Sequence, residues 1–199
     1  MVIAGIGVDV TALKGKYYET VNAVLDVATI AIPESKWFQK GDKELHPILA
    51  QVSDPEIPVL SILEMGVVRA AQLINGVVEV VITPTYSGCP AMDVIGDDIK
   101  KILKENGYDA TIKLVLSPAW TTDWITVKGR KALLDYGIAP PLEAEADKDV
   151  LLGSKKLVGC PQCGSTNTKM VSQFGSTACK AFFQCEDCLE PFDYFKCLK

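Results

Sequence analysis

VVRAAQLINGVVEVVIT, residues 67–83, contains two apolar runs rich in β-branched residues on either side of an Asn75-Gly76 dipeptide. Asn-Gly readily adopts the two positive φ angles of a type I′ turn, whose twist matches that of paired strands. The stretch therefore predicts a β-hairpin with strands at Val67–Ile74 and Val77–Thr83.

Helical patterns flank this hairpin on both sides. Glu44–Val52 predicts a short helix that ends before Asp54-Pro55, because proline disfavours helix at the preceding residue. Pro90–Asn106 predicts a longer helix, since its apolar side chains recur at helical spacing. A third strand at Ala110–Leu116 and a last helix running towards Tyr136 complete the order α-β-β-α-β-α. This order predicts an α+β domain, a small sheet with helices packed on it.

The chain divides into four parts on this basis. Residues 44–136 form the α+β domain, and residues 1–43 are an N-terminal extension of uncertain status. Residues 137–155 contain adjacent prolines and an acidic stretch, which is typical of a linker. Residues 156–199 contain six of the seven cysteines and form a second unit.

Two Cys-x-x-Cys pairs in this second unit predict a metal site. They are Cys160/Cys163 and Cys185/Cys188, and both sulfurs of each pair can reach one ion. Four thiolates suit tetrahedral Zn²⁺ in a closed, structural site, so we expect a zinc ribbon with strands at Lys169–Phe174 and Ala178–Gln184 between the two pairs. Iron in the same four-sulfur site is the alternative. Two further cysteines, Cys179 and Cys197, could be packed, inert thiols or could join a metal site.

Charge and composition exclude several classes of function. The net charge is −5, and the cysteine-rich unit is near neutral without a single arginine, so we expect no nucleic-acid partner. No apolar run approaches the roughly 20 residues of a membrane-spanning helix. Cysteines without a recognisable signal peptide predict a reducing, cytoplasmic location. A single histidine, His46, excludes a di-iron centre built from two Glu-x-x-His motifs.

The remaining cysteine, Cys89, lies at the predicted start of the long helix. Pro90 suits the first helical position, so Cys89 is the predicted N-cap. A thiolate there would face unpaired backbone N–H groups, and the preceding loop, which includes Thr85, can add further donors. We therefore expect a lowered Cys89 pKa, which favours a nucleophile or a metal ligand. The alternative is a small buried side chain that only caps the helix.

A second cluster, Asp54-Pro55-Glu56, has two interpretations. It predicts a rigid turn in which the aspartate caps backbone N–H groups. If the turn lies beside Cys89, Asp54 or Glu56 could help to hold a metal or tune the thiol. The Trp120–Trp124 segment is typical of a buried aromatic anchor at a helix start, with a ligand-facing role as the alternative.

Four motifs occur in the order and spacing of a known family. They are DPEIPVLSILEMGVV (54–68), TPTYSGCP (83–90), SPAWTTDW (117–124) and FGSTACKAFFQCEDCLEPFDYFKC (174–197). Together they resemble the D subunit (PaaD-like accessory protein) of the bacterial phenylacetyl-CoA epoxidase system. The central part also resembles the iron–sulfur assembly domains that carry a DPE motif and a Gly-Cys-Pro cysteine.

The resemblance implies a fold and a role. The fold would be an α-β-β-α-β iron–sulfur-assembly-type domain followed by a four-cysteine zinc ribbon. The role would be maturation in phenylacetate catabolism: assistance with iron–sulfur cluster or iron delivery to the partner reductase and ferritin-like oxygenase subunits, with a transient cluster or iron as cargo. Cys89 matches the family's functional cysteine, Asp54 and Glu56 match its DPE motif, and Thr85 lies in the matching loop. Catalysis would belong to another component of the system.

Two other functions stay open at this point. The protein could be a structural adaptor that stabilises the oxygenase complex without handling metal. It could also be a free-standing enzyme with Cys89 as nucleophile, although no general base lies near Cys89 in the sequence. We expect partner subunits, with a homodimer as an additional arrangement.

Overall fold

A computed structural model of the chain describes residues 40–41, 43–142 and 158–196. It contains two four-stranded sheets. The elements, in chain order, are β1 (Lys40–Gly41), α1 (His46–Leu49), β2 (Val68–Ile74), β3 (Val77–Ile82), α2 (Ala91–Glu105), β4 (Asp109–Leu114), a 3-10 turn (Thr122–Trp124), α3 (Val127–Tyr136), β5 (Ile138–Ala139), β6 (Thr168–Ser172), β7 (Lys180–Cys185) and β8 (Pro191–Phe195).

The predicted hairpin is confirmed and forms the centre of the first sheet. β2 and β3 pair antiparallel, and the turn between them has positive φ at Asn75 (51°) and Gly76 (85°). Alternate side chains of β3, Val78, Val80 and Ile82, are buried. The period-2 pattern therefore turns one face of the hairpin towards the core.

The long helix α2 connects β3 to β4, which pair in parallel. A parallel pair requires such a crossover, and the helix packs its apolar stripe on the sheet. Ile95, Ile99 and Leu103 are fully buried in the same cluster as the β3 side chains. Among the described residues, no helix combines the length and apolarity needed to cross a membrane.

Two features at the amino-terminal side differ from the predictions. The first helix is shorter than Glu44–Val52, because the Val52 carbonyl accepts a hydrogen bond from the backbone N–H of Ile62 and the chain leaves the helix to make this pairing. Lys40–Gly41, within the predicted extension, pairs in parallel with β2 and adds an edge strand. Both pairings join parts of the chain about ten or more residues apart, which local patterns do not reveal.

The second sheet has the order β5-β8-β7-β6 and carries the cysteine-rich unit. β6 and β7 lie close to the strands expected there, at Lys169–Phe174 and Ala178–Gln184. β8 was not predicted. Residues 138–142, placed in the linker by the sequence, instead contribute β5, which pairs in parallel with β8. The backbone N–H of Leu142 also donates to the Tyr194 hydroxyl at 3.1 Å.

The second sheet has a small hydrophobic core of its own, and it also contributes to the core of the first. Cys179 and Phe195 of the second unit belong to the same buried cluster as the α2 and β3 side chains. The rings of Trp120 and Phe195 meet edge to face with their centroids 6.1 Å apart. Trp120 and Trp124 are both buried, in keeping with the aromatic-anchor interpretation.

A tight turn at Gly66 packs against the Trp120–Trp124 segment. Gly66 has φ of +74°, and a Cβ built there would lie 2.6 Å from the Trp124 carbonyl oxygen. The neighbouring Met65 carbonyl accepts a hydrogen bond from the Trp120 indole N–H at 3.0 Å. The turn therefore needs glycine both for its left-handed backbone and for the close approach of Trp124.

We expect Gly66→Ala to destabilise the protein more than Gly107→Ala. Gly107 has a similar φ of +86° but nothing within 4 Å of a built Cβ. The control should lose about 1–2 kcal/mol of unfolding free energy from backbone strain. Gly66→Ala should lose roughly 1–3 kcal/mol more from overpacking against Trp124. Urea denaturation measures both, and equal losses would contradict the packing argument.

Candidate functional site

The predicted metal-binding cysteines come together in the second unit. The sulfurs of Cys160, Cys163, Cys185 and Cys188 all lie within 4.8 Å of one another. The Cys163–Cys185 pair is 3.5 Å apart and the Cys160–Cys188 pair is 3.7 Å apart. The first knuckle precedes β6 and the second begins at Cys185, the last residue of β7, so pairing of these strands brings the two knuckles together.

These distances fit a four-thiolate zinc site. Zn–S bonds of about 2.3 Å in tetrahedral geometry place sulfurs roughly 3.8 Å apart. The backbone N–H of Cys188 points at the Cys185 sulfur at 3.5 Å, an outer-shell contact that favours the charged ligand. Burial raises the pKa of the Cys160 thiol to about 11, so metal binding must release its proton. The donor set and closed geometry are those of a structural metal centre.

Polar contacts tie the two knuckles to each other. Asp187 accepts hydrogen bonds from the Ser165 hydroxyl and from the Asn167 amide, the latter at 2.7 Å. These bonds hold the pKa of the Asp187 carboxyl below its usual value. The backbone N–H of Glu186 also donates to the Asn167 carbonyl at 2.8 Å. These hydrogen bonds therefore connect the two knuckles independently of the four cysteine sulfurs.

Cys89 lies in the loop between β3 and α2. It therefore belongs to the α+β domain and not to the zinc ribbon. Its backbone N–H donates to the Tyr86 carbonyl at 3.1 Å. The helix begins at Ala91 with Pro90 as its N-cap, so the prediction that Cys89 is the N-cap was wrong by one position. Thr85 in the same loop is also buried, and its hydroxyl acts to lower the pKa of the half-buried Cys89 thiol.

The prediction of a lowered Cys89 pKa was also wrong. Burial raises the pKa of this thiol, and the negative charges of Glu56 and Asp54 raise it further. The Ala91 N–H and the Thr85 hydroxyl lower it, as the helix-start argument expects, but they do not offset burial. The reason is that folding buries the thiol and brings the charges of two carboxylates, distant in sequence, close enough to act on it.

The DPE turn brings those carboxylates to the site. Asp54 is only 6% exposed, and its Oδ1 accepts the backbone N–H groups of Glu56 at 2.8 Å and Ile57 at 2.9 Å. Burial raises the pKa of the Asp54 carboxyl although these bonds oppose the shift. Asp54 therefore shapes the turn, as the capping interpretation predicts, and Glu56 presents its side chain beyond it.

A second thiol, that of Cys179 in the zinc-ribbon unit, contacts the Glu56 carboxylate. The Cys179 thiol donates to Glu56 Oε2 at 3.4 Å, and its sulfur lies 3.0 Å from the Thr177 hydroxyl. Burial raises the pKa of Cys179 to about 12. The Lys180 ammonium donates to the Glu56 carbonyl at 3.5 Å. Sequence reasoning left the role of Cys179 open, because 123 residues separate it from Glu56.

The Tyr86 side chain borders this group and was missed at the sequence level. Burial raises the pKa of its hydroxyl, and the nearby Cys89, Glu56 and Cys179 side chains raise it further. We call the assembled group the thiol–carboxylate cluster; its members are Asp54, Glu56, Thr85, Tyr86, Cys89 and Cys179. Cys197 lies outside the described residues.

We expect Cys163→Ser to lose the metal of the four-cysteine centre. Elemental analysis of the purified full chain should give about one zinc per chain for the parent and far less for the variant. Metal binding supplies about 10–16 kcal/mol in comparable zinc peptides, so the variant should also unfold at lower urea concentration. Cys89→Ser is the matched control and should retain its zinc. Full zinc in Cys163→Ser would contradict the assignment.

We also expect Glu56→Gln to make Cys89 more reactive. The Glu56 charge raises the Cys89 pKa, so its removal lowers that pKa and increases the thiolate fraction at neutral pH, by up to about tenfold per pKa unit. The pH–rate profile of iodoacetamide alkylation, followed at Cys89 by peptide mass spectrometry, should therefore shift to lower pH. Glu79→Gln, which removes a carboxylate paired with Lys113 elsewhere on the sheet, should leave the profile unchanged. An unshifted profile in Glu56→Gln would refute the electrostatic coupling.

Comparison with known proteins relates both halves of the chain to described families. Residues 43–114 match the model of an iron-sulfur cluster assembly protein. Residues 144–196 match the model of the PaaD zinc beta ribbon domain. The first match covers β2 to β4 of the first sheet, and the second covers β6 to β8 of the second sheet.

Individual relatives extend this result. The chain is 33% identical over 88 residues to the Fe-S protein maturation auxiliary factor YitW of Bacillus subtilis (strain 168), covering 43% of this chain and 85% of that protein. It is 30% identical over 103 residues to an Fe-S protein maturation auxiliary factor of Porphyromonas gingivalis (strain ATCC BAA-308 / W83), covering 50% of this chain and 94% of that protein. A crystal structure of a DUF59 domain of unknown function from Bacillus anthracis is similar with a TM-score of 0.43 and 28% identity, over 45% of this chain and 88% of that one.

One relative spans nearly the whole molecule. The chain is 44% identical over 174 residues to a protein of Escherichia coli (strain K12) that is named as the D subunit of a 1,2-phenylacetyl-CoA epoxidase. The match covers 86% of this chain and 98% of that protein. An identity this high over both units, together with the PaaD ribbon match, shows that the chain belongs to the PaaD family.

Proposed function

We propose that this protein is a non-catalytic accessory subunit of a phenylacetyl-CoA epoxidase system that assists delivery of iron or an iron–sulfur cluster through Cys89. The observation that carries the proposal is that the half-buried Cys89 lies close enough to the DPE turn for the charges of Glu56 and Asp54 to raise the pKa of its thiol. The names of the relatives support it, since two are Fe-S maturation factors and one is an epoxidase subunit.

The chemistry of the cluster suits a transient metal ligand. Thiolate and carboxylate oxygen are both ligands of iron, and soft sulfur favours iron and zinc over magnesium or calcium. The raised pKa keeps the Cys89 thiol protonated near neutral pH, so binding of a metal is coupled to proton release. Reprotonation of the thiol then favours transfer of the metal to a partner with stronger ligands.

The proposed function implies which subunits receive the metal. The cargo would go to the reductase, which needs an iron–sulfur cluster, or to the ferritin-like oxygenase, which needs iron. A reducing compartment, the cytoplasm, keeps the six described cysteines as free thiols or metal thiolates. The zinc ribbon would stay structural and hold the second unit against the first.

An adaptor function is the second candidate, and surface apolar side chains favour it. Phe174 and Leu189 of the second unit are 60% and 68% exposed. Exposed aromatic and aliphatic side chains of this size suit a contact with another protein. In this alternative the ribbon would join the epoxidase subunits and Cys89 would carry no metal.

Complementation with Cys89→Ser separates the two candidates. In cells that lack the native gene, we expect the variant to leave the partner enzymes deficient in iron or cluster, by roughly tenfold or more, since loss of even an outer-shell contact costs 10- to 100-fold at metal sites. The measurements are iron content, absorption spectrum and activity of the purified partners. Ser87→Ala, an exposed change in the same loop, is the matched control.

The adaptor candidate makes the opposite forecast. Cys89→Ser would then be silent, while Cys160→Ser, which breaks the ribbon, would abolish co-purification of the subunits. Full metal content and activity of the partners with Cys89→Ser would refute the delivery proposal.

A further inference from the structure

We propose that the open edge of β4 is a dimer interface, at which the strand pairs antiparallel with β4 of a second copy of this chain about a two-fold axis at Thr111. β4 (Asp109–Leu114) is the last strand of the first sheet, and among the described residues it pairs only with β3. The inference concerns the assembly of the protein and does not rest on the proposed function.

The backbone of β4 presents hydrogen-bonding groups along this edge. The N–H of Val115 donates to the Ile82 carbonyl of β3 at 2.9 Å, which fixes the direction of the alternating groups. Since successive residues of a strand direct their N–H and C=O groups to opposite sides, Ala110, Ile112 and Leu114 direct theirs to the open edge. In the described ranges, no other backbone group bonds to them. An antiparallel partner can therefore pair here only in registers that place its own outward-directed residues opposite these three.

The charged side chains of β4 select one of these registers. With the two-fold axis at Thr111, Asp109 of each copy lies opposite Lys113 of the other, and Ala110 exchanges its backbone bonds with Ile112. The two charged pairs then occupy closely spaced, non-hydrogen-bonded positions of the ladder, where opposite side chains interact most strongly. Moving the partner by two residues in either direction places both charged side chains opposite uncharged residues. β4 is thus complementary to itself in this register.

Both charged side chains are accessible for these contacts. The Lys113 ammonium lies 2.5 Å from Glu79 Oε2 of β3, and the lysine side chain remains exposed. Asp109 is exposed as well, and within the part of the chain that the structure describes it has no ion-pair partner. In the dimer, each Lys113 ammonium would lie between Glu79 of its own chain and Asp109 of the second copy. The pairing therefore gives the Asp109 carboxylate the opposite charge that it lacks in one chain.

β4 lacks the features that ordinarily keep an edge strand from pairing. Proline, bulges and charges of a single sign are such features. β4 has no proline, its charges are of opposite sign, and its register with β3 runs from Asp109 to Leu114 without a bulge. On its other face, Ala110 and Ile112 pack on the core while Leu114 is 54% exposed. The same register places Leu114 opposite Tyr108 of the second copy, so pairing also covers an exposed apolar side chain.

Sedimentation velocity of the full, zinc-loaded chain over a concentration series tests the interface. We expect a reversible equilibrium between monomer and symmetric dimer. Asp109→Lys should raise the dissociation constant by about tenfold, because both charged pairs of the dimer become repulsive. Asp98→Lys is the matched control, since it makes the same charge change on α2 beside the DPE turn, and it should dimerise like the parent. Zinc content and circular dichroism report whether each variant folds.

Cross-linking at position 111 tests the register. The two-fold axis places Thr111 opposite itself in a closely spaced pair, where Cβ atoms lie about 4.5–5.5 Å apart and a disulfide can form with little movement. With oxidised glutathione as the oxidant, Thr111→Cys should give a covalent dimer whose cross-link peptide mass spectrometry locates at position 111 in both copies. Asp98→Cys, the matched control, should give no more covalent dimer than the parent.

Three results would overturn the proposal. The first is a parent chain that sediments as a monomer at every concentration. The second is a dimer whose dissociation constant Asp109→Lys leaves unchanged. The third is a Thr111→Cys chain that cross-links no better than Asp98→Cys, because β4 would then not be paired about position 111. None of these results bears on the delivery of metal through Cys89, which the complementation experiment tests separately.

Discussion

The packing of the ribbon unit against the α+β domain is the interaction on which the candidate site depends. Phe195 enters the core of the first domain beside Trp120, and β5 leads directly from α3 into the second sheet. Because these contacts fix the two sheets relative to each other, the Cys179 loop meets the DPE turn at Glu56. The zinc ribbon therefore positions Cys179 beside Glu56, although none of the four cysteine ligands of the ribbon belongs to this candidate site.

Burial dominates the electrostatics of that site. A cysteine beside a helix start is ordinarily a candidate for a lowered pKa, because backbone N–H groups stabilise the thiolate. Here the Ala91 N–H acts in that direction, but burial and the charges of Glu56 and Asp54 raise the Cys89 pKa. The balance suits a thiol that releases its proton only to a metal, and it argues against a free nucleophile at neutral pH.

The predictions from sequence succeeded where the physics is local. The Asn75-Gly76 turn, the amphipathic helix α2 and the two Cys-x-x-Cys knuckles depend on residues a few positions apart, and the structure contains all of them. They failed where a long-range partner changes the outcome. β5 and β8 pair across more than fifty residues, so a short Ile-Ala strand looked like part of a linker.

For the candidate site, the sequence by itself determined the chemical identity of the groups: a cysteine in the β3–α2 loop, a capped DPE turn and a four-thiolate centre. Only the tertiary structure decided which of them meet. The Glu56 carboxylate contacts Cys179, although 123 residues separate the two, and its charge acts on the Cys89 thiol. The physical reason is that a side chain's pKa and its ligand partners depend on distance in space and on burial, whereas sequence motifs report only neighbours along the chain.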